Sequence, residues 1–93
     1  MIRSFGNKDT EYVFHENFVK KLPPDLQGRA LEKLRLIDAA ARLEDLTVPP
    51  SNRLHPLKGD LKGFHSISIN DQWRVIFIWK EGGANEVEIT DYH

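Results

Sequence analysis

The sequence predicts an α+β domain in which two helices precede an antiparallel sheet. Apolar residues recur at helical spacing between residues 9 and 41, whereas apolar and polar residues alternate from residue 64 onward. Helices that are separated along the chain from antiparallel strands are typical of the α+β class. A chain of 93 residues has room for one hydrophobic core, so we expect a single domain over residues 1–93.

The N-terminal half begins with an extended segment, residues 2–5, which suits a short first strand. Residues 9–22 predict the first helix, capped by Asp9 or Thr10. Its apolar stripe repeats every four residues, at Phe14, Phe18 and Leu22. Pro23 and Pro24 end this helix, and Pro24 also suits the first turn of a second one. The second helix has the clearest stripe, at Leu26, Ala30, Leu34, Ile37 and Ala41.

The C-terminal half predicts three strands after a Pro-containing linker at residues 44–53. A strand at residues 64–69 is followed by a turn at residues 70–72 and a second strand at residues 73–80. Gly82 and Gly83 predict another turn, and residues 86–93 predict the last strand. These strands form an antiparallel meander, on which the first strand and both helices pack.

Composition excludes several classes of function. The formal net charge of −1 excludes a polybasic protein, and the absence of cysteine excludes disulfides and thiolate metal sites. No two of the four histidines have metal-ligand spacing, so we expect neither a metal nor another cofactor. No apolar run approaches the roughly 20 residues of a membrane span, and the N-terminus lacks a secretory apolar region. We therefore expect a cytoplasmic protein without a membrane partner.

Positive charge is nevertheless concentrated in one part of the chain. Residues 53–80 contain five Lys or Arg and two Asp, a local charge of +3, to which His55 and His65 add when protonated. The aromatic residues Phe64, Trp73, Phe77 and Trp79 are interspersed with them. Cations with aromatic platforms are what single-stranded RNA requires. Alternating aromatics are also typical of a core, which we expect for Val75 and Phe77, whereas Trp73 and Trp79 suit either role.

Three motifs occur together: L-K-G-D-x-x-G from Leu57, S-I-x-x-N-x-Q-W-R-x-x-F from Ser66, and a closing D-Y-H. With the opening MIRSF, they resemble the HigB toxins of the RelE/ParE superfamily over essentially the whole chain. The resemblance implies a compact RelE-like fold and the toxin of a type II toxin–antitoxin pair. Such toxins cut mRNA in the ribosomal A site and halt translation. Their partner is a HigA-like helix-turn-helix antitoxin, through which the toxin reaches operator DNA only indirectly.

The same resemblance implies the site residues. The family's active-site histidine and lysine fall on His55 and Lys58, its arginine on Arg74, and its closing acid, tyrosine and histidine on Asp91, Tyr92 and His93. These residues suit RNA cleavage without a metal, in which a 2′-hydroxyl attacks the adjacent phosphate. We expect His55 and His93 to transfer protons, in either order, Asp91 to orient, Tyr92 to position, and Lys58 and Arg74 to hold phosphate charge. The turn at residues 70–72 lacks the basic residue that some relatives carry there, which suggests weaker activity.

Two alternatives belong to other functional classes. One is a gyrase-poisoning toxin on the same fold, which has no need of His55 or the closing Asp-Tyr-His. The other is an antitoxin-binding co-repressor without catalysis, which would not stop growth when produced alone.

Strand alternation separates the proposed site residues, because it places Asp91 and His93 on one face of the last strand and Tyr92 on the other.

Overall fold

Two helices and a four-stranded antiparallel sheet form the protein, whose computed structural model describes residues 1–92. The helices are α1 (Lys8–Phe14) and α2 (Pro24–Ala39). The strands are β1 (His55–Pro56), β2 (His65–Ser68), β3 (Trp73–Lys80) and β4 (Gly83–Asp91), in that order across the sheet. Short 3₁₀ turns occupy Leu43–Thr47, Pro50–Asn52 and Gly59–Leu61. The predicted α+β class is confirmed.

Helix α2 follows its predicted stripe almost throughout. Pro24 occupies the first turn, where its missing N–H costs nothing. The side chains of the stripe from Leu26 to Ile37 are buried against the sheet. The helix ends at Ala39, and the backbone of Ala40 is extended. This turn of the chain buries Ala40 and leaves Ala41 exposed, so the prediction for Ala41 was wrong.

Helix α1 is half as long as predicted and has a different cap. The side-chain oxygen of Asn7, not of Asp9 or Thr10, accepts a hydrogen bond from the N–H of Thr10 at 2.9 Å. Thr10 is instead buried, and its hydroxyl accepts the N–H of Ile89 on β4 at 2.9 Å. The helix ends at Phe14, and Glu16 has a left-handed backbone with φ of 65°. Phe18, predicted for the core, is 66% exposed.

Left-handed Glu16 ends the helix, because its N–H and that of Asn17 bond to the carbonyls of Val13 and Tyr12 at 2.9 and 2.8 Å. The side chain of Gln27 holds the segment that follows. Its amide oxygen accepts the N–H of Val19 at 2.9 Å, and its amide nitrogen donates to the carbonyls of Val19 at 2.8 Å and Leu22 at 3.1 Å. These bonds satisfy backbone groups that a longer helix would pair internally. Val19 and Leu22 therefore reach the core from an irregular segment.

The predicted N-terminal strand is reduced to two isolated parallel bridges with β4, Ile2 to Ala84 and Phe5 to Val87. Between them, Glu86 has φ of 51° and its N–H bonds to the hydroxyl of Ser4 at 2.9 Å instead of to a carbonyl. The same region carries a register shift in the pairing of β3 with β4. A bulge of this kind interrupts a ladder because one residue is left unpaired.

Both predicted turns are present. The side-chain oxygen of Asn70 accepts the N–H groups of Gln72 at 2.9 Å and Trp73 at 2.7 Å, which closes the turn between β2 and β3. Positive φ angles at Glu81 and Gly82 form the turn between β3 and β4. The short strand β1 was not predicted, because Pro56 and two residues of pairing leave little pattern in a sequence.

The sheet has one face in the core and one face that neither helix covers. Residues of the core face pack with α2, namely Ile67, Ile69, Val75, Phe77, Val87 and Ile89. The predicted core positions Val75 and Phe77 are confirmed, and Trp73 and Trp79 are partly buried against the same cluster. Ile76 is buried but lies outside this cluster, as expected for the opposite face. We call that opposite face the open face.

Candidate active site

The pairing register brings several of the predicted site residues to the open face. His55 on β1 lies opposite Ser66 on β2, which lies opposite Ile76 on β3. Two residues farther along, Ser68 on β2 lies opposite Arg74 on β3, which pairs with Thr90 on β4. Residues that pair directly share a face of the sheet. The open face therefore carries His55 at one edge and Arg74 in a central strand.

Arg74 and Tyr92 form the centre of this site. The guanidinium carbon of Arg74 lies 4.9 Å from the centroid of the Tyr92 ring, within cation–π range. The N–H of Tyr92 donates to the carbonyl of Gln72 at 2.9 Å, and this bond holds the end of the chain beside β3. The Nε atom of Arg74 is buried and has no hydrogen-bond partner among the described residues. Because Nε is enclosed, a ligand on this face would meet the terminal nitrogens of the stacked guanidinium.

His55 is exposed, and one of its ring nitrogens is already engaged. Nδ1 lies 2.8 Å from the carbonyl oxygen of Arg53. A carbonyl oxygen only accepts, so Nδ1 must carry the hydrogen and donate it. In the neutral ring Nε2 then bears the lone pair. Arg53 has a left-handed backbone, with φ of 50° and ψ of 47°, two residues before the histidine that its carbonyl orients.

The other predicted residues are more widely distributed. His55 lies two strands from Arg74, about 10 Å across the sheet at ordinary strand spacing. Lys58 is exposed in the loop beyond β1, where it precedes the Gly59–Leu61 turn. Asp91 pairs with Trp73 and so lies on the core face, opposite to Tyr92. His93 lies outside the described residues.

His65 does not add to the positive charge of this region as predicted. Its ring stacks on Phe77 with a centroid distance of 6.3 Å. Partial burial, and secondarily the charge of His55, lowers the pKa of His65 below its ordinary value of 6.5. The ring is therefore neutral near pH 7, and its Nδ1 has no partner among the described residues.

One structural residue beside the site was not predicted. Asn52 is fully buried, immediately before Arg53, and its amide nitrogen donates to the carbonyls of Leu46 at 3.1 Å and Val48 at 3.3 Å. Its amide oxygen accepts from the ammonium of Lys33 on α2 at 2.6 Å. These bonds tie the loop that carries Arg53 and His55 to the second helix. In sequence, Asn52 indicated only a turn.

Comparison with known proteins identifies the family. The model of the RelE-like toxins named HigB, from type II toxin–antitoxin systems, matches residues 3–93. The chain belongs to this HigB-like toxin family. The expected resemblance is thus confirmed, and membership makes the chain the toxin member of a pair with an antitoxin.

Two relatives are similar to this HigB-like chain over most of their length. This chain is 38% identical to Toxin HigB-1 of Vibrio cholerae over 85 residues, and the alignment covers 90% of each chain. It is 33% identical over 93 residues to Endoribonuclease HigB of Proteus vulgaris, which covers 100% of each chain.

Solved structures share the fold of this HigB-like protein. A YafQ mutant from E. coli superimposes with a TM-score of 0.64 at 12% identity, over 99% of this chain and 94% of that one. The YoeB–YefM complex from Staphylococcus aureus has a matching chain with a TM-score of 0.60 at 20% identity, over 100% of this chain and 98% of that one. The predicted RelE-like architecture is therefore confirmed.

Among residues 1–92 of the HigB-like chain, no group of three or more His, Asp or Glu side chains is arranged to hold a metal ion. None of the described helices has the length and apolar character that crossing a membrane requires.

Proposed function

We propose that this chain is a ribosome-dependent endoribonuclease that cleaves mRNA in the A site and thereby inhibits translation in the cytoplasm. The observation that carries the proposal is the Arg74 guanidinium stacked on Tyr92 on the open face. A stacked arginine beside an accessible ring suits a phosphodiester and an unstacked base together. The relative named Endoribonuclease HigB supports the same activity.

The proposed reaction needs no metal. The substrate's 2′-hydroxyl loses its proton to a base and attacks the adjacent phosphorus, while an acid protonates the departing 5′-oxygen. The bond to the 5′-oxygen breaks as the new bond forms, leaving a 2′,3′-cyclic phosphate and a 5′-hydroxyl. The bond from His55 Nδ1 to the Arg53 carbonyl leaves Nε2 as the lone-pair nitrogen, so we assign the base to His55. The acid is then His93.

The remaining residues act on charge and position. Arg74 and Lys58 hold the negative charge that grows on the phosphate oxygens, Arg74 through a planar fork and Lys58 as a point charge. Tyr92 stacks against a base and keeps Arg74 in place. Asp91 lies on the other face of β4, so we assign it an indirect role, orienting the end of the chain that carries His93.

The ribosome and a HigA-like antitoxin are the proposed macromolecular partners. A local charge of +3 neutralises few phosphates, so binding to free RNA is weak and sensitive to salt. The ribosome supplies the position of the mRNA, and positioning alone can account for much of a reaction barrier. The antitoxin restrains a protein that otherwise arrests its host.

Primer extension on a reporter mRNA in a reconstituted translation system tests the activity. We compare Arg74→Ala with Lys62→Ala, which removes an exposed cation from the loop between β1 and β2. Loss of one charge-stabilising donor reduces turnover by about 10²–10³-fold, so Arg74→Ala should lose that much and Lys62→Ala should lose little. Circular dichroism controls for folding. Equal small losses would reject the role of Arg74, and equally fast cutting of naked mRNA would reject ribosome dependence.

A further inference from the structure

A second charged feature lies beside the open face. A cleft of about 240 Å³ separates α2 from the loop before β1 and from the turn between β2 and β3. Three cations line it, Arg29 and Lys33 from the helix and Arg53 from the loop. We call it the basic cleft. None of the proposed catalytic residues within the described range 1–92 lines it.

The three cations line the same space from two separate elements. Arg29 and Lys33 are four residues apart on α2, so they lie on one side of the helix. The ammonium of Lys33 bonds to Asn52 at 2.6 Å, and an ammonium has two further donors. The left-handed backbone of Arg53 follows directly after Asn52. Arg29 is exposed and is accessible to a ligand.

The basic cleft lies beside the open face at one end of the sheet, on the side that α2 covers. Ser68 and Asn70 line it, and Ser68 lies opposite Arg74 in the register. The backbone of Ser68 is therefore one strand, about 5 Å, from that of Arg74. An RNA strand held at Arg74 and Tyr92 reaches the cleft when it passes this end of the sheet.

We propose that the basic cleft binds a backbone phosphate of single-stranded RNA, next to the nucleotide held at Arg74 and Tyr92. This inference rests on the proposed function and extends it. RNA suits the cleft better than a protein segment does, because Ile69 is the one aliphatic side chain among its described lining residues. Protein interfaces need apolar or aromatic anchors at their centre. The carboxylates of Glu32 and Asp71 leave the lining with a net charge of +1, which suits one phosphate.

Fluorescence anisotropy at low salt tests the cleft with two RNA probes that are fully 2′-O-methylated and so lack the attacking hydroxyl. The octanucleotide reaches both surfaces, whereas the second probe, a mononucleotide with a single phosphate, reaches only Arg74 and Tyr92 on the open face. Arg29→Gln should weaken octanucleotide binding about threefold to fivefold, the size of one exposed ion pair, and leave mononucleotide binding unchanged. For Arg29→Gln, the slope of the logarithm of octanucleotide affinity against the logarithm of salt concentration should decrease in magnitude by about 0.7.

Matched controls use a surface ion pair elsewhere on the protein. Arg35 and Glu16 lie 3.3 Å apart and do not line the cleft. Arg35→Gln makes the same charge change as Arg29→Gln and should leave the octanucleotide affinity unchanged. Glu32→Gln should strengthen octanucleotide binding, whereas Glu16→Gln should not.

The outcomes separate this inference from the proposed function. If wild type and Arg29→Gln bind the octanucleotide with equal affinity, the proposed RNA binding by the basic cleft is wrong, even if reporter mRNA is cut. An uncut reporter together with octanucleotide binding that depends on Arg29 overturns the nuclease and supports the cleft. A third probe is hexaglutamate. If Arg29→Gln weakens its binding and not that of the octanucleotide, the cleft binds acidic protein and the inference is wrong.

Discussion

Replacement of Asn52 by alanine tests how the loop that carries His55 is held. The substitution removes three hydrogen bonds, to the carbonyls of Leu46 and Val48 and from the ammonium of Lys33. A protein hydrogen bond contributes about 1 kcal/mol net, so the three together contribute about 3 kcal/mol to the free energy of unfolding. The buried Leu46 carbonyl is left without its donor, which adds to the loss, whereas water entering the space reduces it.

A loss of this size is easily measured. Domains of this length lose about 4–8 °C of melting temperature per kcal/mol, so Asn52→Ala should melt roughly 12–24 °C lower. Urea unfolding followed by the fluorescence of Trp73 and Trp79, both partly buried, gives the free energy directly. The slope of the unfolding free energy against urea concentration should be the same for Asn52→Ala and wild type, because the folded core is unchanged.

Asn85→Ala is the matched control. Asn85 is a partly buried asparagine on β4 whose amide nitrogen makes two long bonds, of 3.5 Å to the Ile78 carbonyl and 3.4 Å to the Gly83 carbonyl. Bonds at this length are weak, so we expect a loss below about 0.5 kcal/mol. If Asn52→Ala is no less stable than Asn85→Ala, the buried amide does not anchor the loop and the reasoning fails.

Two further predictions concern histidines. The pKa of His65 is lower in the folded protein than in the unfolded chain, where it is about 6.5. As the pH falls through this range, the unfolded chain binds a proton that the folded protein does not, so the stability of the folded protein decreases. His65→Gln should therefore flatten the decline of melting temperature between about pH 7.5 and pH 5.5, and an unchanged slope contradicts this. Deletion of His93 should abolish cleavage on programmed ribosomes while barely changing the melting temperature, because core residues Val87 and Ile89 still hold β4. A stable truncated protein that cuts at the full rate would remove His93 from the mechanism.

The sequence by itself determined those helices, strands and turns whose conformation depends on residues close together in the chain. The stripe from Leu26 to Ile37 predicts α2, because a helix repeats its buried face every three or four residues whatever lies opposite. Alternation predicts β3, with Val75 and Phe77 in the core, and Asn70 predicts the turn before it. The motifs that contain Lys58, Arg74 and Tyr92 also indicated the family from sequence alone, and the family match confirms it.

Tertiary contacts decided the features that depend on residues distant in the chain. Beyond the end of α1, the side chain of Gln27 pairs the backbone of Val19 and Leu22 in an irregular segment, a contact that spacing does not reveal. Arg74 meets Tyr92 because β3 and β4 pair in one register. A shift of that register by one residue would send every side chain of β4 to the other face.

The tautomer of His55 belongs to the same class of feature. It is set by the carbonyl of Arg53, which the left-handed backbone of that residue points toward the ring. The loop in turn depends on Asn52, whose hydrogen bonds reach Lys33 on α2. A sequence specifies which proton-transfer groups are present. Which nitrogen holds the proton is decided by the folded backbone, because an acceptor must lie within hydrogen-bond distance in space.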